Sequence, residues 1–353
     1  MIGGGVVGAA ATLAVARSGA SVAMLERSAG PRAEGSSRGS ARIFAPAAYP
    51  DESYLEPALR ALERWQEIER QSGERLLWRT GALTYGEFAD RELPALRAGG
   101  VAVELLSADR AASRFGVRLT GGRPLIYQPD AGVLRADRAR TALLGLARAA
   151  GAELHLGERV LSLTERDDAI VVETDRRRWS CSATVVAAGP WSGALLADAG
   201  IELPVNVSLQ SVAYFELRER SVRPVALIEF EGDEPFACWD PERGLKAALH
   251  ARGPSVDPER DSRDPDPTAI DRVSDWVRDR YGDLVGAEPS RVETCMYTNA
   301  PGERFVIDRR GRIVIGSACN GQGFQFAPQT GERLAELALE TQAAGVATTG
   351  AAR

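Results

Sequence analysis

Ile2-Gly3-Gly4-Gly5-Val6-Val7-Gly8-Ala9-Ala10 opens the chain, and its spaced glycines decide the fold. Gly3, Gly5 and Gly8 satisfy G-x-G-x-x-G, a turn whose backbone can approach a pyrophosphate seated on the first turn of a helix. Ala9 to Ser18 reads as that helix, small-residued and stopped at Gly19. Ser21 to Glu26 follows as a short apolar strand ending in an acid, about 20 residues past the glycines, where a carboxylate accepts hydrogen bonds from ribose hydroxyls. Turn, helix, strand and acid in this order predict a nucleotide-binding α/β unit. Only Met1-Ile2 precede Gly3, where a full apolar strand normally stands, so the central first strand is expected to be largely missing.

Working outward, Leu55, Leu59, Leu62, Trp65 and Ile68 share a helical face, and so do Ile270, Val273, Val277 and Tyr281. Arg135 to Ala150 and Thr330 to Glu340 are further predicted helices. Strand material is expected near Leu77 to Gly86, Val101 to Leu106, Glu153 to Val160, Ile170 to Thr174, Thr184 to Gly189, Val205 to His250 and Arg312 to Ile315. The acidic, proline-rich stretch from Gly253 to Pro267 reads as a surface loop, Gly316 to Gly323 as a glycine-rich loop, and 341–353 as a disordered tail. The fold class is therefore α/β with mixed α+β character, in two lobes interleaved along the sequence. Residues 1–42, 135–200 and 290–340 form a Rossmann-like cofactor domain; residues 43–134 and 201–289 form a mixed-sheet substrate domain.

A formal charge of −6, with no basic stripe, excludes a nucleic-acid footprint. Four cysteines without a CxxC pair make no disulfide framework. No apolar run reaches roughly 18 residues, so no membrane span is expected, and a cytoplasmic protein is favoured. Gly244 to His250 is a strand on which Lys246, Ala248 and His250 face one side and Leu245, Ala247 and Leu249 the other. A lysine and a histidine projecting together from an apolar strand suit a reacting centre; the bland alternative is an edge strand with its polar face in water. NAD and FAD share the glycine fingerprint, so other segments must choose between them.

Val292-Glu293-Thr294-Cys295-Met296-Tyr297-Thr298 makes that choice, because it resembles the flavin-attachment segment of the monomeric sarcosine oxidase and N-methyltryptophan oxidase family within the D-amino-acid-oxidase superfamily. Phe305-Val306-Ile307-Asp308 follows at the family's interval, Thr184 to Ser192 resembles a second FAD-associated strand and turn, and Gly321-Gln322-Gly323-Phe324-Gln325-Phe326 resembles its Gly-x-Gly-Phe-Lys-Phe segment. The resemblance implies FAD bonded through the Cys295 sulfur, with Cys181, Cys238 and Cys319 structural. It implies cofactor contacts from Gly3, Gly5, Gly8, Glu26, Arg27, Ser36, Arg42, Val160, Gly189, Cys295, Gly321, Gly323, Phe324 and Gln325. Around the reacting centre it implies Lys246 as the oxygen-activating cation, His250 and Tyr297 along the substrate cavity, Arg42 against the flavin, and Arg38 where the family has a histidine. Phe236 falls near an active-site tyrosine.

Two departures matter. Where the family pairs an arginine and a lysine with the substrate carboxylate, this chain has Ala45 and Gln325, and burying an unpaired carboxylate there would be costly. The expectation is thus a monomeric FAD oxidase of a secondary or cyclic amine other than sarcosine, taking a small-molecule amine and O2 and releasing H2O2, with Arg38 a substitute anchor. The alternatives are an amine dehydrogenase with another electron acceptor, against which Lys246 speaks, and a non-catalytic or decayed flavoprotein, which the short first strand and the missing clamp favour.

Overall fold

In the computed structural model the nucleotide turn sits where its glycines require, since both ends of it touch backbone. The structure describes residues 1–30, 35–46, 52–119, 123–251, 253–317 and 320–350, the side chains of 52, 88–90 and 342–350 excepted. Gly3 has φ +97, and a Cβ there would lie 2.4 Å from the Ala187 carbonyl oxygen. A Cβ on Gly8 would lie 1.9 Å from the Gly3 carbonyl oxygen, so the helix Val6–Arg17 can start against the turn only with glycine at this position.

Met1 and Ile2 supply what exists of the central strand. Ile2 bridges in parallel to Val186 on one side and Leu25 on the other. Its amide donates to Val185 O at 2.8 Å and its carbonyl accepts from Ala187 N at 2.8 Å. Two residues therefore join the parallel pair Ala23–Glu26 and Glu153–Leu156 to the parallel pair Thr184–Val186 and Ile313–Ser317, with Val306–Arg310 antiparallel at the edge.

Alternation divides these strands between two cores. Met24, Val185 and Val314 point to the helix Val6–Arg17 and its neighbours Ala136–Ala149 and Ala327–Gly350. Leu25, Val186, Ile313 and Ile315 point the other way, onto the three-stranded antiparallel sheet that carries Leu163, Ile170 and Val172. Gly331 allows the C-terminal helix to approach the first one; a Cβ there would meet the Ala10 backbone at 2.6 Å.

An eight-stranded mixed sheet forms the second body, in the order Arg291–Asn299, Asn206–Phe215, Gly244–Leu249, Pro235–Asp240, Ala226–Glu229, Ala82–Tyr85, Leu125–Gln128 and Glu104–Leu106. Its apolar face, with Ala213, Phe215, Ala237, Leu245 and Ala247, is covered by the helix Pro267–Tyr281 through Val273, Val277 and Tyr281. A small sheet of Ala41–Phe44, Gly132–Arg135 and Leu77–Trp78 packs against the opposite face.

Two expectations need correction. The last helix starts at Ala327 and continues to Gly350, beyond both expected bounds, Thr330 and Glu340. The strand Ile313–Ser317 also takes up the first residues of what reads as glycine-rich loop. Cys319 lies outside the described residues. Among the described residues no helix is long and apolar enough to cross a membrane.

Gly8→Ala should destabilise the protein by about 1–3 kcal/mol through overpacking against backbone that cannot retreat. Urea denaturation of the two proteins checks this; an unchanged midpoint would contradict the close packing described.

Candidate functional site: a cleft under a polar sheet face

Sheet register, not sequence proximity, assembles the site. Across the first four strands of the large sheet, Arg291, Tyr214, Lys246 and Cys238 stand in one row, and Glu293, Val212, Ala248 and Phe236 in the next. Cys295 pairs with Gln210 one step further along the same face. Period-two alternation places all of these opposite the apolar face under the helix Pro267–Tyr281. Val212, Tyr214, Ala248, Phe236 and Cys295 form a single apolar cluster there. The strand reading thus holds for Lys246, on an interior strand rather than an edge in water, while His250 lies one residue past the strand's end at Leu249.

Beneath this face runs a long cleft. Gly3, Gly5, Glu26, Arg27, Ser36, Arg42, Val160, Gly189, Cys295, Tyr297, Gly321, Gly323 and Phe324 all line it. Gly8 does not reach the cleft, its role being the backbone contact with Gly3. Gln325 lies behind Phe324, its side-chain oxygen accepting the Ala45 amide at 3.1 Å. Ala45 itself is buried in an apolar cluster with Ala41, Val133 and Trp239. Arg38 is exposed, and its carbonyl, not its guanidinium, meets the site by accepting from Arg42 at 2.6 Å.

At the nucleotide end, the buried Glu26 carboxylate accepts the Gly4 amide at 2.6 Å and the Ser28 amide at 2.8 Å. Behind the turn, the buried Arg140 donates from Nε to Gly4 O at 2.5 Å. The Ser37 hydroxyl accepts the Val6 amide at 2.9 Å, at the start of the first helix.

At the other end, Arg42 is spread over three carbonyls, donating to Ala41 O, Ser36 O and Arg38 O at 2.8, 2.8 and 2.6 Å. Its Nη2 stands 4.0 Å from Cys295 Sγ, and its guanidinium lies 5.6 Å from the Phe324 ring centre. Phe324 in turn stacks on Trp65. Lys246, 6% exposed, donates from Nζ to Ala41 O at 3.0 Å. Burial, reinforced by the nearby Arg42 charge, pulls its ammonium down to about 8. His250 sits 5.5 Å from the Tyr297 ring and 3.3 Å, nitrogen to nitrogen, from Gln322. Burial pushes the Tyr297 phenol well above its usual range. Gly321, at φ +76, lets the Tyr297 ring pack on the chain where a Cβ would clash at 2.3 Å.

The cleft also holds unpartnered polar groups, most of which sequence reasoning missed. The Ser36 and Thr298 hydroxyls, the Ser317 hydroxyl and the Trp191 indole nitrogen are buried, line the cleft and lack a hydrogen-bond partner. Four orphaned polar atoms along one groove are what a polar ligand with distributed donors and acceptors would satisfy. The donor set fits FAD: a glycine turn and helix start for phosphates, a carboxylate for ribose, hydroxyls along the path, and a thiol with an arginine at the far end. Only Ser36 among these carried a predicted role; Trp191 and Thr298 lie inside segments quoted for other residues, and nothing in the pattern marks Ser317.

Comparison with known proteins agrees with this cleft. A family profile described as FAD dependent oxidoreductase (DAO) matches residues 1–337. The peroxisomal sarcosine oxidase of Homo sapiens is 30% identical over 370 residues, covering 96% of this chain and 91% of that protein. The N-methyl-L-tryptophan oxidase of Salmonella arizonae is 29% identical, covering 96% and 94%. Among solved structures, the open form of NikD, an unusual amino acid oxidase essential for nikkomycin biosynthesis, superposes with a TM-score of 0.84 at 26% identity, covering 96% and 93%.

Lys246→Met should stabilise the fold by about 1–4 kcal/mol near neutral pH, because an ammonium with a single carbonyl partner leaves the core. The folded value of about 8 lies below the ordinary 10.5, so the unfolded chain binds the proton more tightly. The wild type therefore gains stability as pH rises from about 8 to 10.5, and its deficit against the variant narrows over that window. Urea denaturation at either end checks the sign; a gap that widens with pH would contradict it.

Proposed function

The chain belongs to the DAO family of FAD-dependent oxidoreductases, and on that premise we propose that it is an oxidase of a secondary or cyclic amine. The amine loses a hydride equivalent and a proton to become an imine, and the same two electrons and two protons convert O2 to H2O2. One observation carries this reading: the nucleotide turn, Cys295 and Arg42 share one cleft, the sheet face above it bears Lys246, and His250 packs beside Tyr297 of the cleft wall. FAD, when bound, supplies the acceptor for those electrons and their donor to oxygen.

The residues divide the remaining work. The Gly3–Gly5 turn and the helix start hold the pyrophosphate, and Glu26, with lone pairs left beside Gly4 and Ser28, takes the ribose. Ser36, Thr298 and Ser317 complete their hydrogen bonding on the cofactor. Cys295 Sγ, 4.0 Å from Arg42 Nη2, would hold the flavin through a thioether, one S–H and one C–H bond giving way to it and the two electrons passing to dioxygen. Arg42 and Lys246 fix positive charge in a dry site, where it favours electron flow toward oxygen. Tyr297, His250 and Phe236 shape the amine side. In this reading the segments 1–42, 135–200 and 290–340 form the cofactor lobe and 43–134 and 201–289 the substrate lobe; the protein works in the cytoplasm and as a monomer, the latter being what the name of the monomeric sarcosine oxidase of Bacillus sp. (strain NS-129) says of that relative.

The names of the relatives point toward N-methyl amino acids. Against sarcosine stand the buried, apolar setting of Ala45 and the engaged, uncharged Gln325 amide. Alanine offers a carboxylate no donor, and glutamine offers it no charge. A larger or uncharged amine fits these positions better.

Peroxide-coupled steady-state assays should give sarcosine a kcat/KM below roughly 10^4 M−1 s−1, the low end of ordinary enzymes. Gln325→Lys should raise it about tenfold, equal to about 1.4 kcal/mol of transition-state binding. Efficient sarcosine turnover by the unaltered chain would overturn the substrate reading. With an amine that turns over, the oxygen-dependent rate should fall as pH rises through about 8, where Lys246 loses its charge, and Lys246→Met should be slow at every pH. A variant with the wild-type oxygen rate would remove Lys246 from the reaction.

A further inference from the structure

The acidic loop between the strand Gly244–Leu249 and the helix Pro267–Tyr281 does not hang free over the surface. Its first arm lies along the large sheet: Leu209 N donates to Pro254 O, Val256 N donates to Val207 O, and Val256 packs on Val207, Leu209 and Met296. Its second arm is tied by Thr294 Oγ1, donating to Arg263 O at 2.9 Å, and by Asp266 N, donating to Ser211 Oγ at 2.8 Å. Between the two arms a tip folds on itself, with the Asp257 carboxylate accepting from Glu259 N and the Asp261 carboxylate accepting from Asp257 N.

The tip then crosses to the cofactor lobe through one carboxylate. Glu259 meets Arg27 at 2.5 Å and Arg159 at 3.3 Å. Arg27 immediately follows the strand carrying Glu26, Arg159 immediately precedes the strand Val160–Glu165, and all three residues line the nucleotide end of the cleft. Arg27 and Arg263 also lie over the Trp191 ring, at 4.4 and 5.9 Å. A loop anchored at both feet and joined across the cleft at its tip can swing without disturbing either core.

We propose that residues 253–266 are a strap over the nucleotide end of the cleft, latched by Glu259 between Arg27 and Arg159, which opens to admit FAD and retains it until the Cys295 thioether forms. The proposal rests on the FAD reading of the cleft. It makes Glu259 a retaining residue, not a catalytic one, and the latch weakens as salt screens the part-exposed pairs.

The test uses the full chain with Cys295→Ser, so that no thioether sets retention. Two rates are followed: tryptic cleavage after Arg260, and release of FAD on dilution, read from flavin fluorescence. Glu259→Gln should speed both about threefold to tenfold, the range open to part-exposed ion pairs. Arg159→Gln should do the same to a smaller extent, and the two changes combined should fall short of the product of their separate effects, since they remove one shared contact. Rates unchanged by Glu259→Gln, or effects that multiply fully, would overturn the latch. If the Cys295→Ser protein takes up no flavin, the FAD reading suffers instead, and cleavage after Arg260 alone decides for or against the strap.

Discussion

The hydrogen bond from Lys246 Nζ to Ala41 O, 3.0 Å long and buried, joins the two halves of the site. Lys246 belongs to the large sheet; Ala41 begins the strand that carries Arg42. An ammonium taken from water needs a partner, and this one has a single carbonyl, in a site where Arg42 adds a second positive charge. Nothing about stability recommends that arrangement. It is the kind of local conflict that folds retain where charge has to be held ready. Around it the other parts take their places: Tyr214 and Cys238 flank Lys246 across the strands, and Cys295 stands on the same face beside Arg42.

A second network lies on the same face. The Glu293 carboxylate, two residues before Cys295, accepts from Arg243 at 2.8 Å and from the Tyr214 hydroxyl at 3.2 Å. The buried Asp240 accepts from the backbone of Glu242 and Arg243 and from the Ser40 hydroxyl, which pins the Gly35–Arg42 loop to the sheet. The loop that places Arg42 is therefore fixed beside Arg42 itself, by Asp240 at Ser40 and by Lys246 at Ala41. Rigid placement of this kind lets a charge act on a reaction without reorganising first.

Much of this was legible in the sequence because it depends on local rules. The glycine spacing located the turn, and alternation in Gly244 to His250 put Lys246 on a common face. The resemblance around Cys295 singled out a residue that proves to line the same cleft. Other features follow from three-dimensional register and leave no local trace. Ser317 is an unremarkable strand end until its hydroxyl is seen without a partner. Glu259 hid in a loop whose acidic, proline-rich composition reads as plain surface. The helix Glu87–Ala98 carries Pro94 in its interior, which interrupts the pattern by which a helix is recognised. The tail from 341 looked unstructured by composition, yet it prolongs a helix already packed on the first one.

Whether Cys295 holds FAD, as proposed, is decided by mass spectrometry of the tryptic digest. Trypsin releases the peptide Val292 to Arg304, which contains Cys295 and no other cysteine. From protein denatured in acid, this peptide should carry the mass of one FAD less two hydrogens and absorb visible light. Recovery of the unmodified peptide, with all colour left in the supernatant, would contradict it.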